Sequence, residues 1–134
     1  IEEVAVALLE DVPCGHPGEI ASRLADFLAA DGMPALEVSL DGRPMTIELG
    51  EIVSPALIGG IVKSAAMRAF DERPEDARVT WRHVAAAIDE VVPEYLDRIA
   101  GAGQQALATT LPRYAAGRVG HIRVAYRAQP ALRL

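Results

Sequence analysis

The most constraining feature of this chain is an Asp41-Gly42 step set between two alternating apolar runs. Leu36, Val38 and Leu40 alternate with Glu37 and Ser39 before it, and Met45, Ile47 and Leu49 alternate with Thr46 and Glu48 after it. Asp-Gly supplies the two positive-φ positions of a tight hairpin turn, and so short a connection can only join antiparallel strands. Pro44 cannot donate to a ladder, so the start of the second strand is expected at a sheet edge or outside the pairing. On both sides of the hairpin the apolar period changes from two to 3.6, which predicts helices. The fold class expected is therefore α+β, mainly α, with a small antiparallel sheet.

The helical readings are specific. Residues 1–10 place Ile1, Val4, Ala5 and Leu8 on one side. Asp11 to Gly18 carries two prolines and two glycines and reads as a loop. Residues 19–31 form a second helix, with Ile20, Leu24, Phe27 and Leu28 inward and Arg23 in water, closed by Gly32. Ser54 caps a long helix with Pro55 in its first turn. Inside it, Gly59 and Gly60 mean either a close backbone approach or a weak first turn. Residues 72–76 read as a solvated turn. Thr80 opens the next helix, with Trp81, Val84, Ile88 and Val92 inward and His83 on the solvated arc. Trp81 is expected to be a major core residue. Pro93 starts a further helical stretch that Gly101 and Gly103 interrupt, and residues 104–111 resume it. Residues 118–127 alternate as a strand that could extend the hairpin into a sheet. The organisation expected is 1–53, two helices and the hairpin; 54–97, a helical core; and 98–134, a basic C-terminal segment.

Composition excludes several classes. The 134 residues are 51% hydrophobic and 24% charged, as in a globular domain. No apolar run approaches the ~20 residues of a membrane helix, and no signal peptide is visible. A single cysteine, Cys14, excludes an internal disulfide and points to a reduced, cytoplasmic setting. The first residue, Ile1, suggests a piece of a longer chain. Net charge is −6, but residues 1–53 hold eleven acids and two bases, whereas residues 54–134 hold eight acids and eleven bases. The basic end has only Tyr114 and Tyr126 among aromatics, so complementary contacts between chains fit better than nucleic acid.

Chemistry is sparse. GxxxxGK[ST], GxGxxG after a strand, and HExxH are all absent. Cys14 and His16 sit in one loop, but no third group orients them, so a hydrolase based on that pair is not expected. His16, His83 and His121 do not have metal-ligand spacing, and no metal site is expected. The neighbouring carboxylates Glu2/Glu3, Glu75/Asp76 and Asp89/Glu90 do not face one another across a cleft. Read from residues alone, the chain is a soluble helical domain with no autonomous active site.

One arrangement goes further. The hairpin strand Leu36 to Gly42 leads into Ile52-Val53-Ser54-Pro55-Ala56-Leu57-Ile58-Gly59-Gly60-Ile61-Val62. A helix through Ala65-Ala66-Met67-Arg68-Ala69 follows, then Val79-Thr80 and the helix through Ala87-Ile88. Over residues 19–127 this resembles the C-terminal lid region of AAA+ ATPases. Within that family, residues 19–70 are most similar to the actinobacterial proteasome-associated ring unfoldases. The resemblance implies a helical lid-type subdomain and a parent that binds ATP or ADP and hydrolyses ATP as a hexameric ring. It also implies that the parent unfolds protein substrates and works with a proteasome core, in the cytoplasm, with no nucleic-acid or membrane partner. No cofactor is expected on this chain by itself, and no catalytic residue within it. The resemblance places Ser54, Pro55 and Ala56 at the lid turn that faces adenosine. Pro55 stands where the family has glycine and has no N–H to offer. The chain ends Leu132-Arg133-Leu134, without the family's penultimate docking tyrosine. The alternative is a free-standing helical module that binds a partner protein without ATP.

Overall fold

The computed structural model describes residues 1–103, 107, 111 and 119–128. The fold is α+β and mainly helical, with a three-stranded antiparallel sheet. Its elements are α1 (Glu2–Glu10), α2 (Pro17–Leu28), β1 (Pro34–Leu40), β2 (Arg43–Glu48), α3 (Leu49–Ile52), α4 (Pro55–Glu72), α5 (Trp81–Ala102) and β3 (Val119–Val124). The expected helix over 104–111 falls outside the described residues, apart from buried Leu107 and half-buried Leu111. Tyr114, Arg113, Arg118 and Arg133 of the basic end lie outside them too. Contacts divide the described residues into two units: 1–28 with 53–92 and 128, and 29–52 with those described between 93 and 127.

In the first unit, α1 packs on α2 and α4. Ala5 and Leu9 are its buried residues, whereas Ile1 is 40% exposed and Leu8 half-buried. Of the Ile1/Val4/Ala5/Leu8 face that the sequence suggested, Ala5 is buried as expected, but the arc is turned toward Leu9 and away from Ile1, because α1 has two helical neighbours to satisfy. α2 begins at Pro17 and ends at Leu28, earlier at both ends than expected. Proline at a first helical position is pre-organised for its φ. Ser54 caps α4 as the sequence predicts: its Oγ accepts from the Leu57 N–H at 3.2 Å. Leu57, Ile58, Ile61, Val62, Ala65 and Ala69 are buried along α4.

α4 and α5 run in opposite directions. Gly60 lies against Val91, and Glu72, twelve residues on, meets Arg82. A Cβ on Gly60 would stand 3.2 Å from Val91 Cγ1, whereas one on Gly59 would meet nothing within 4 Å. The close approach therefore belongs to Gly60 only. Gly59→Ala is expected to stabilise the protein by about 0.5–1 kcal/mol through helix propensity. Gly60→Ala is expected to gain less, because Val91 must give way. Chemical denaturation of the two variants checks this, and equal gains would contradict the packing difference.

Trp81 is only half-buried, not the core residue expected. It is the first residue of α5, and the Arg23 guanidinium covers one ring face at 4.4 Å from the centroid. Val84, Ala85, Ala87, Ile88, Val92 and Leu96 are sealed positions of this helix. Pro93 does not start a new helix. α5 continues through it to Ala102, where Gly103, with φ +80°, closes the helix and sends its N–H to Ile99 O.

In the second unit, Asp41 and Gly42 take φ +52° and +81°, the turn chemistry the sequence carries. Strand order is β2-β1-β3, so Pro44 lies on an edge strand. β1 is central: Leu36 is opposite Ile47 on one side and Val124 on the other. β2 stops at Glu48, and Leu49 starts α3 instead of completing the strand. The physical reason is that Glu51 Oε2 takes the Glu48 N–H at 2.9 Å and Leu49 N–H bonds Met33 O at 2.8 Å. Gly32, at φ +75°, sends its N–H to Glu48 Oε1 at 3.0 Å.

Candidate functional site

Ser54, Pro55 and Ala56 occupy the entrance to α4. Ser54 is half-buried by its capping role, while Pro55 and Ala56 are exposed in the first turn. Pro55 leaves that turn one N–H short, so a ligand here would meet the Ala56 and Leu57 end of the helix through shape more than through hydrogen bonds. The Leu57 N–H is already taken by Ser54.

A second cluster joins the far end of α4 to the start of α5, and the sequence did not disclose it. His83 is buried to 7% exposure, against the expectation of a solvated histidine. Thr80 precedes the first residue of α5, so His83 stands at the third helical position, where a capping box ordinarily carries Glu or Gln. Its Nδ1 accepts the Thr80 backbone N–H at 3.0 Å, with Thr80 Oγ1 also at 3.0 Å. An accepting Nδ1 puts the proton of the neutral ring on Nε2, which donates to Glu72 Oε2 at 3.2 Å. Arg82 Nη2 completes the carboxylate's coverage at 2.9 and 3.1 Å. Glu72 is therefore no part of a merely solvated turn. Arg68 pairs with Glu90 nearby.

The line Thr80–His83–Glu72 has the residue types of a hydroxyl, a base and an orienting acid. Its geometry is that of a cap. The backbone N–H of Thr80 occupies the Nδ1 lone pair that would have to receive the hydroxyl proton. Cys14 and His16 are not brought into a site either. Cys14 is half-buried in a bridge to Val79, His16 is exposed, and no hydrogen bond joins them among the described residues. No group of three His, Cys, Asp or Glu is placed to hold a metal among the described residues.

The His83 hydrogen bond, helped by the charges of Arg82, His83 and Arg73 and opposed by desolvation, holds the Glu72 carboxyl below its ordinary value of 4.5. A lowered folded-state value means the pairing stabilises the protein above pH ~4.5 and is lost as pH falls through the lowered value. Glu72→Gln is expected to flatten the acid limb of stability against pH in that range, with little pH dependence added above pH 5. Melting temperatures between pH 2.5 and 6 check this, and an acid limb unchanged in the variant would remove Glu72 from it.

The charge split is partly answered within the sheet. Arg123 pairs with Glu37 at 2.9 Å, joining the basic end to the acidic half in one chain. Among the described residues, no helix is long and apolar enough to cross a membrane. Compared with known proteins, the chain matches no family model and no curated protein.

Proposed function

We propose that this chain is the lid and C-terminal segment of a cytoplasmic AAA+ ATPase of the proteasome-associated type. The observation that carries the reading is the order of elements. A hairpin leads through a short helix into the Ser54-capped α4, α5 follows, and the basic strand β3 returns to pair with β1. That is the sequence of parts implied by the resemblance over residues 19–127. In this reading the phosphate chemistry belongs to other parts of a hexameric parent, since this sequence has no phosphate-binding loop. The lid turn at Ser54, Pro55 and Ala56 covers the adenosine of ATP or ADP. Rotation of the lid then passes the nucleotide state to the next subunit, as a rigid-body hinge does. Protein substrates and a proteasome core are the partners of the parent.

The test places a reporter on the turn. Ala56 is exposed, so Ala56→Trp in a background with Trp81 and any tryptophan outside these 134 residues replaced by Phe leaves one indole, on the turn. In the full gene product, ADP is expected to shift its emission and protect it from iodide quenching. An indole indifferent to saturating ADP would take the turn away from the nucleotide. A helical protein-interaction module without ATP is the second reading. It is favoured by one observation, the exposure of Met67 and Phe70 on α4.

A further inference from the structure

α1 and α4 leave an open apolar groove of about 600 Å³ between them, lined by Leu8, Val12, Val62, Ala66, Met67 and Phe70. Met67 is 58% exposed and Phe70 56%, the two most exposed large apolar side chains among the described residues. Clustered apolar exposure of this kind marks a contact surface more often than scattered single residues do. Two charges flank the apolar pair on the same helix and line the same groove, Lys63 and Asp71. Neither forms an ion pair with another described residue.

The spacing identifies the occupant. Lys63, Met67 and Asp71 are four residues apart, so they form one i±4 ridge, with the two charges about 12 Å apart. Opposite signs stand at equal distances on either side of Met67. A ridge of this kind is its own complement when a copy is turned end for end. A two-fold contact demands that property, because each patch must meet itself. Two i±4 ridges pack at a crossing near 50°, the commonest helix–helix class.

We propose that this face of α4 docks a second copy of the chain about a two-fold axis at Met67. Lys63 of each copy meets Asp71 of the other, and Phe70 is covered beside the axis. The contact is small, so the dimer is weak, with dissociation on the order of 0.1–1 mM. A ring is closed by head-to-tail contacts, which are not two-fold. The proposal is therefore independent of the ATPase reading, and its failure would leave that reading untouched.

The test uses symmetry. In a Cys14→Ser background, Met67→Cys puts one thiol per chain on the axis. Diamide is expected to link two such chains by a disulfide, reported as a dimer on a non-reducing gel. Lys63→Asp and Asp71→Lys each set like charges opposite one another twice, so each alone should reduce cross-linking at least about tenfold. Both together restore opposite signs and should return it to within about twofold of the parent. Circular dichroism checks that each variant stays folded, and sedimentation up to millimolar concentration measures the dimer without cross-linking. Absence of a dimer in both measurements, a dimer indifferent to either reversal, or a double swap that fails to restore it would each overturn the proposal. Absence of a dimer would assign the apolar face to another partner.

Discussion

Ile88→Ala is expected to cost about 2–5 kcal/mol of unfolding free energy. Ile88 is fully buried on the inner arc of α5, between Val84, Ala85 and Val92, all of them sealed from solvent. Ala85 and Ala87 beside it are already small, so neighbouring side chains on that helix cannot expand into the space. The loss therefore combines the transfer term of the removed carbons with a cavity that stays open. Ile88→Leu keeps the volume and should cost less than about 1.5 kcal/mol. Val91→Ala, at a half-buried position, should fall between wild type and Ile88→Ala. Urea denaturation followed by circular dichroism measures all three. A cost under about 1 kcal/mol for Ile88→Ala would mean that this arc of α5 is not sealed.

The same range, about 2–5 kcal/mol, is expected for Leu36→Ala, by a different route. Leu36 lies on the central strand with no exposed surface, opposite Ile47 of β2 and Val124 of β3. Truncating it removes cross-strand packing on both sides at once, whereas an edge residue has one neighbouring strand. Met45 is the matched control. It sits on the edge strand opposite Val38 and is 40% exposed. Met45→Ala should change stability by no more than about 0.5 kcal/mol. Similar costs at the two positions would contradict the strand order β2-β1-β3.

These two residues also show which parts of the fold could be read without coordinates. Local chemistry was legible. Asp41-Gly42 can adopt the turn that two short alternating runs require, and Ser54-Pro55 starts a helix because one caps and the other needs no donor. Gly103 closes α5 for the same local reason. The apolar face of α5 was legible too, since Val84, Ile88 and Val92 recur at helical spacing. What the sequence hid depends on residues distant along the chain. His83 is on the polar side of its own helix, but Glu72, eleven positions earlier, reaches back to cover it. Trp81 has the character of a core residue, yet at the first position of α5 it stays half-buried, with an arginine of α2 over one ring face. The arc of α1 depends on two helical neighbours, and period alone does not say how they share it. Pro93 reads as a boundary because its missing N–H normally ends a helix. Here the helix runs through it.

The candidate site divides the same way. The cap at Ser54 was legible as a cap, whereas the contact with adenosine proposed for it rests on resemblance. The Thr80–His83–Glu72 cluster was invisible because histidine is not the usual third residue of a capping box. It shares its logic with the start of α3, where Glu51 accepts the Glu48 N–H across the same spacing.

The central claim is that this chain belongs to an ATP-driven ring, and one measurement bears on it most directly. The full gene product is purified, and its ATP hydrolysis is measured together with its mass by sedimentation in the presence of nucleotide. The account predicts steady ATP turnover by a particle of six subunits. A protein that stays monomeric with ATP and neither binds nor hydrolyses it would contradict the account.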